Sequence, residues 1–277
     1  MIKYMEKVMN NIDLILADYQ KVVLGESAGN TWFTDEYWPG NYPRLRKICQ
    51  LAGECVGDGN ANDMNVADIG CGCGYMTRLF KRLGFSVIGV DGYEDQGRDT
   101  VFGIEGINYY SGNFNADHSL EKIGDCSIDI VVCGEVLEHI FHHPQGFLTE
   151  LHRICRKGGI CIITTPNPAN IMNAIRMLRG TYSMWGTSEF AEMKKYDHGV
   201  PISHAGIHYR EYLSNQLNKM VQKAGFTVTG HFFLGSGSNK FDGFLKRCIK
   251  SLPGFQSLMR TRLFGSGQII VGKKETI

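Results

Sequence analysis

The chain alternates short, continuous apolar runs with stretches spaced for helix. Residues 1–24 put Met5, Val8, Met9, Ile12, Ile15, Leu16, Tyr19, Val22 and Val23 on one stripe, the period of a helix packed on a core or a subunit. Tyr42-Pro43-Arg44-Leu45-Arg46-Lys47-Ile48 opens a second helix, with proline near its start. Strand-like runs follow at Val66–Ile69, Ser86–Val90, Ile107–Tyr110, Ser127–Cys133, Ile160–Thr165, Phe226–Phe233 and Gln268–Gly272. Between them lie helical stretches at Tyr75–Leu83, about 94–103, Phe147–Ile154 (stopped by Lys157-Gly158-Gly159) and Tyr209–Ala224. Apolar strands alternating with helices predict a sheet covered on both faces.

The first two strands carry the first chemistry. Val66-Ala67-Asp68-Ile69 runs into Gly70-Cys71-Gly72-Cys73-Gly74 and then directly into a helix. Glycines at alternate positions let backbone adopt φ > 0 and pass close to a ligand, where a Cβ would clash. The turn delivers that ligand to a helix N-terminus, beyond the carboxyl end of a strand. The spacing is G-x-G-x-G rather than the G-x-G-x-x-G of dinucleotide binding. The second strand ends at Asp91, where an acid accepts hydrogen bonds from both ribose hydroxyls of a nucleoside.

A second constellation follows the strand that ends at Cys133: Gly134-Glu135-Val136-Leu137-Glu138-His139. Wound as a helical turn, Glu135, Glu138 and His139 sit at i, i+3 and i+4 and share one face. Two carboxylates and an imidazole on one face can hold a divalent cation, and the set suits Mg²⁺, Mn²⁺, Fe²⁺ or Zn²⁺.

Asp68-Ile69-Gly70-Cys71-Gly72-Cys73-Gly74 with Gly89-Val90-Asp91 resembles the class I S-adenosylmethionine (SAM)-dependent methyltransferases, over roughly residues 60–235. The resemblance implies a Rossmann-like, seven-stranded α/β sheet with one antiparallel strand and helices on both faces. It implies SAM as methyl donor, with Asp68, Gly70, Gly72, Gly74, Asp91 and Gly134 at the cofactor. It places Asn113 and Phe114 at the adenine, the amide on the exocyclic amine and the ring packed on the base. Many relatives carry an acid where Asn113 stands. An arginine ahead of the glycine turn, Arg44 or Arg46, would pair with the SAM carboxylate, since guanidinium matches a carboxylate bidentately. The E-x-x-E-H string resembles the ubiquinone-biosynthesis O-methyltransferases. It also resembles the small-RNA 3′-terminal 2′-O-methyltransferases, where the string and a later histidine bind a divalent cation. That implies Glu135, Glu138 and His139 as metal ligands, with His208 as the fourth and His204 as its alternate. Other members of the superfamily carry Leu-Glu-His without a metal; Glu138 then makes structural bonds, and His139, as base, and Glu135 are the catalytic candidates. Asn167, in Thr-Pro-Asn after the fifth strand, is placed on the active-site rim.

The organisation expected is an N-terminal helical and aromatic lid over residues 1–60, with Trp32, Phe33, Tyr37 and Trp38, and a methyltransferase domain over 61–277. Within the latter, 169–208 is an insertion after strand five that would set acceptor specificity, because substrate-facing loops vary on a fixed scaffold. Residues 239–264 form a basic, amphipathic insertion; from 239 onward there are eight basic and two acidic residues. Such a segment can pack onto the domain, lie on anionic lipid or approach a phosphorylated acceptor.

Composition narrows the partners. At 277 residues and 43% hydrophobic the chain can build one large core, and a net charge of +1 argues against nucleic acid as a partner. Nine cysteines without a C-x-x-C pair read as reduced thiols in a cytoplasmic protein rather than a zinc ribbon. No run approaches the ~20 apolar residues of a membrane span. The sequence therefore points to a SAM-dependent methyltransferase that O-methylates a hydroxyl of a small molecule, sugar or glycan precursor, with or without a metal. RNA ribose 2′-O-methylation and non-catalytic SAM binding are the alternatives. The oligomeric state is not legible.

Overall fold

A computed structural model describes residues 12–18, 37–57, 59–72, 74–92, 102–103, 105–180, 196–197, 200–201, 207–235, 257 and 260–276. The elements are α1 (Tyr37–Val56), β1 (Asn65–Ile69), α2 (Tyr75–Arg82), β2 (Ser86–Asp91), β3 (Asn108–Ser111), β4 (Ile128–Gly134), α3 (Pro144–Ile154), β5 (Cys155–Pro166), α4 (Ile171–Leu178), α5 (Ser214–Lys223), β6 (Thr227–Leu234) and β7 (Gly267–Lys273). These seven strands form one sheet in the order β3-β2-β1-β4-β5-β7-β6, and Tyr196–Asp197 pairs with Val200–Pro201 in a separate two-stranded sheet. β1 to β5 pair in parallel, and β7 runs antiparallel to both β5 and β6. This is the expected doubly covered sheet with one reversed strand.

Strand period decides the two cores. Val66, Ile130, Val132, Ile162, Ile269 and Val271 face one side, under Ile48, Leu51 and Ala52 of α1 and Phe80 of α2. Ala67, Ile69, Val131, Cys133, Cys161 and Ile163 face the other, under Phe147, Leu148 and Leu151 of α3 and Leu217 and Val221 of α5. The chain leaves β1 for β2 on one side and reaches β4 on the other. The carboxyl ends of β1 and β4 thus open the crevice where such sheets bind ligands.

Residues 12–18 are helical, and Ile12 and Leu16 pack with Leu45, Cys49 and Leu79. Arg46 holds Asp13 in the same contact, through Nε at 2.6 Å and Nη2 at 3.0 Å.

Four elements differ from the sequence reading. α1 begins at Tyr37 and carries Pro43 inside it, so the proline forgoes one helical bond instead of marking the start. α3 stops at Ile154, and β5 starts at Cys155, opposite Ile128. Gly158, at φ +80°, is therefore an irregularity inside a long strand and not a helix stop. α5 begins at Ser214 and not at Tyr209, because the amides of Tyr209 and Arg210 donate to the Glu138 carbonyl. Only Leu137–His139 winds after β4, as a 3-10 turn. Glu135 stands at φ +56° and its N–H still donates to Thr164 O, so the expected helical turn over 135–139 is broken at its first residue.

The aromatic stretch with Trp32 and Phe33, the core of the expected 94–103 helix, most of the 169–208 insertion including His204, and most of 239–264 lie outside the described residues. The seven described cysteines are free thiols. Among the described residues no helix is long and apolar enough to cross a membrane.

Leu16 is fully buried where the N-terminal helix meets α1 and α2. Leu16→Ala should cost about 2–4 kcal/mol in urea unfolding. Hydrogen exchange should report the loss first in residues 12–18 and the facing turn of α1.

Candidate active site

The glycine turn is built by the strand ends on either side of it. The amides of Gly70 and Cys71 both donate to Val90 O, at 2.7 and 3.0 Å, and the amide of Gly72 donates to Asp91 Oδ2 at 2.6 Å. A Cβ on Gly70 would lie 2.1 Å from Val136 Cγ2, so this glycine lets the loop after β4 close against the turn. Gly72 is the opposite case: it has φ +53°, and a Cβ there would meet nothing within 4 Å. Glycine at this point keeps backbone beside open space, as close approach of a ligand requires. Gly74, at φ +81°, caps α2.

Asp68 and Asp91 are both 3% exposed. Asp68 accepts from Thr77 Oγ1 at 2.6 Å. Burial raises its pKa to about 6, against the lowering effect of that hydrogen bond. Asn113 follows β3, joined to β2 by the bond from Gly112 N to Asp91 O at 3.0 Å. Its side-chain oxygen accepts from Asn115 N at 3.0 Å, and with Val90, Tyr110 and Gly112 it lines a cavity walled by residues 116–123. The Phe114 ring is turned into the core, 9% exposed and 5.3 Å from the Phe147 ring.

At the end of β4, beside the turn, stand the two glutamates. Adjacent threonines of β5 hold them: Thr164 Oγ1 donates to Glu135 Oε1 at 2.8 Å, and Thr165 Oγ1 donates to Glu138 Oε2 at 2.9 Å. Arg44 Nη1 reaches Glu135 Oε1 at 3.0 Å. Of the two candidate arginines, Arg44 thus reaches the site and Arg46 anchors the N-terminal helix. Backbone strain at Glu135 costs on the order of 1–3 kcal/mol, and these bonds offset it.

Glu138 is fully buried, and its Oε1 has no hydrogen-bond partner among the described residues. Burial, then the neighbouring Glu135, pushes its pKa well above the ordinary carboxylate range. His139 Nδ1 donates to Ile207 O at 2.6 Å; a carbonyl only accepts, so Nε2 carries the lone pair of the neutral ring. Burial also lowers the His139 pKa, which keeps that lone pair at neutral pH. His208 Nδ1 lies 3.0 Å from Glu211 Oε1, and the His139 and His208 rings meet edge-on at 4.9 Å. One ligand atom each from Glu138, His139 and His208 lies within 4.8 Å of the others.

The structure therefore brings together three of the four residues that the E-x-x-E-H resemblance names, and sets Glu135 beside them on Arg44. Asn167 sits one step back from the rim. It is fully buried, and its Nδ2 donates to Arg262 O and Gly265 O, both at 2.8 Å, tying the end of β5 to the segment before β7. The sequence reading missed Thr77, Thr164, Thr165 and Glu211. Paired threonines at a strand's carboxyl end were the one available sign for two of them.

Asp68 has a folded pKa above its unfolded value near 3.9. Its contribution to stability is complete below pH 4 and is lost as pH rises through about 6. Relative to Asp68→Asn, the wild type should lose roughly 2 kcal/mol of unfolding free energy between pH 4 and pH 7. Urea unfolding of both proteins across that range checks it.

Residues 37–231 match a family model described as a methyltransferase domain. A protein from Mycolicibacterium smegmatis described as a probable S-adenosylmethionine-dependent methyltransferase is 28% identical over 211 residues, 75% of this chain and 67% of that protein. The ubiquinone biosynthesis O-methyltransferase of Rickettsia bellii is 30% identical over 106 residues, 38% of this chain and 43% of that protein. The match thus spans less than half of that relative's length. Among solved structures, magnesium protoporphyrin IX methyltransferase from Synechocystis PCC 6803 superposes with a TM-score of 0.54 at 15% identity, covering 93% of this chain and 94% of that one. A strand order with β7 reversed, a glycine turn at the β1 tip facing Asp91, and a family match across most of the chain agree: the protein belongs to the methyltransferase-domain family and has the fold of the class I SAM-dependent methyltransferases.

Proposed function

We propose that this protein is a SAM-dependent O-methyltransferase for a hydroxyl of a small molecule, sugar or glycan precursor, and that Glu138, His139 and His208 hold a divalent cation at its acceptor site. The observation that carries the metal part is the Glu138 carboxylate. It is fully buried, it has one oxygen on Thr165, and the other lacks a partner among the described residues, while the carboxylate and the two imidazoles each place a ligand atom within 4.8 Å of the others. A buried carboxylate in that state is costly unless a cation or a proton joins it. The donor set of one oxygen and two nitrogens fits Mn²⁺, Fe²⁺ or Zn²⁺. Both histidines have their Nδ1 hydrogen-bonded to an oxygen, the arrangement that orients a ligating imidazole. The likeness to ubiquinone biosynthesis O-methyltransferases supports oxygen as the acceptor atom.

In this reading the Gly72 backbone admits the nucleoside, Asp91 accepts the ribose hydroxyls and Arg44 takes the methionine carboxylate, leaving Glu135 on Thr164. SAM carries its own electrophile, so most of the rate comes from aligning acceptor oxygen, methyl carbon and sulfur. A cation at the three ligands would supply Lewis acidity that lowers the pKa of the acceptor hydroxyl. The 169–208 segment, which leads directly to His208, is the proposed acceptor-selecting part, and residues 1–60 are the proposed lid.

Calorimetry tests both parts. The wild type should bind S-adenosylhomocysteine with or without EDTA, and Gly72→Ala, although folded, should bind it at least 10-fold more weakly. Mn²⁺ or Zn²⁺ uptake by the wild type should weaken at least 10-fold in Glu138→Gln. No nucleoside binding would overturn the reading as a whole. Nucleoside binding without metal uptake would overturn the metal and leave His139 as the base.

A further inference from the structure

His208 reaches the site on residues 207–213, a non-helical segment that precedes α5. Three of its attachments are local to the site: His139 Nδ1 on Ile207 O, and the amides of Tyr209 and Arg210 on Glu138 O at 2.8 and 3.3 Å. The fourth comes from the other half of the sheet. Gln268 of β7 is 1% exposed, and its Nε2 donates to Tyr212 O at 2.7 Å and to Pro166 O at 3.0 Å.

Gln268 is the register partner of Thr165. Side chains directly opposite each other on antiparallel strands project to the same face. One layer of the sheet therefore carries both supports of the cluster: Thr165 holds the Glu138 carboxylate, and Gln268 holds the backbone that bears His208. The Gln268 amide cannot turn over without loss. Both N–H groups serve carbonyls, so Oε1 is committed to the remaining neighbour, His231 Nε2, at 3.1 Å. An amide oxygen only accepts, so His231 carries a proton on Nε2. The His231 Nδ1 lies 3.1 Å from Asn218 Oδ1 on α5, the helix that continues from the same segment; an oxygen only accepts, so with Nε2 protonated either the ring carries a second proton on Nδ1 or the Asn218 amide turns its nitrogen to Nδ1.

We propose that Gln268 is a positioning residue for the Glu138–His139–His208 cluster: by tying Tyr212 to the end of β5, it sets the distance between His208 and the two ligands that follow β4. This rests on the metal-site reading above. It assigns a role in that site to a residue more than 50 positions from any of its members in sequence.

The test uses the full chain, with Mn²⁺ alone as the probe. Gln268→Met keeps the side-chain length and removes both donors. Its Mn²⁺ affinity should fall at least 10-fold and hydrogen exchange in 207–213 should quicken at least 10-fold, while S-adenosylhomocysteine affinity stays within 2-fold of wild type. A purely structural role would instead lower thermal stability and leave Mn²⁺ affinity and local exchange near wild type, which would overturn the proposal. Nitrogen-15 spectra of the wild-type histidines give a second measurement that needs no variant. A His231 with a proton on Nε2, whether neutral or doubly protonated, agrees with the wiring. A proton on Nδ1 with Nε2 bare would turn the Gln268 amide around, remove its hold on Tyr212 and overturn the proposal. Absence of Mn²⁺ uptake by the wild type would instead show that the metal reading itself fails, and the proposal with it. Intact uptake by Gln268→Met would remove this proposal alone.

Discussion

Everything at the site bends around one buried carboxylate. Glu138 has no exposed surface, and an isolated charge in that position costs several kcal/mol. Thr165 answers one oxygen, and the Glu138 backbone carbonyl recruits the amides of Tyr209 and Arg210. The same residue thus gathers, through its main chain, the segment that brings a second histidine. The left-handed turn at Glu135 makes this geometry. It ends the strand abruptly, sends residue 135 toward Arg44 and lets the 3-10 turn carry Glu138 and His139 inward.

The sheet supplies the fixed frame. Apart from the edge strand β3, its parallel strands are buried on both faces, so their register is firmly specified by which residues face which core. The carboxyl ends of β1, β2, β4 and β5 are then held level, with Gly70, Asp91, Glu135 and Thr165 at neighbouring tips. The two glutamates sit on two consecutive residues of β5, so a shift of that strand by one residue would exchange or lose both supports. The reversed strand extends the frame to Gln268.

Strand positions, the glycine turn and the acid at Asp91 were legible because each follows from a local rule: apolar runs, positive φ, a hydrogen-bond acceptor at a strand tip. Glu138 and His139 were nameable from their spacing, but His208 only through resemblance, since nothing local says that residues 69 apart converge. The helical turn at 135–139 was misread because i, i+3, i+4 spacing cannot reveal a left-handed residue at the first position. The start of α5 was misread for a related reason: Tyr209 and Arg210 have helical spacing, but their amides belong to a carbonyl some 70 residues upstream. The partners of Thr164, Thr165 and Gln268 were not legible because they are fixed by strand register; only the pairing of the two threonines at a strand end was a sign.

The central claim is that donor nucleoside and cation meet at one sheet edge. The most direct measurement is the relaxation of the methyl signal of ¹³C-methyl SAM bound to the wild type, titrated with Mn²⁺. If the cation sits on Glu138, His139 and His208, the bound methyl signal should broaden beyond detection at one equivalent, and Mg²⁺ should leave it sharp. A sharp methyl signal with both SAM and Mn²⁺ bound would place the cation elsewhere and contradict the account.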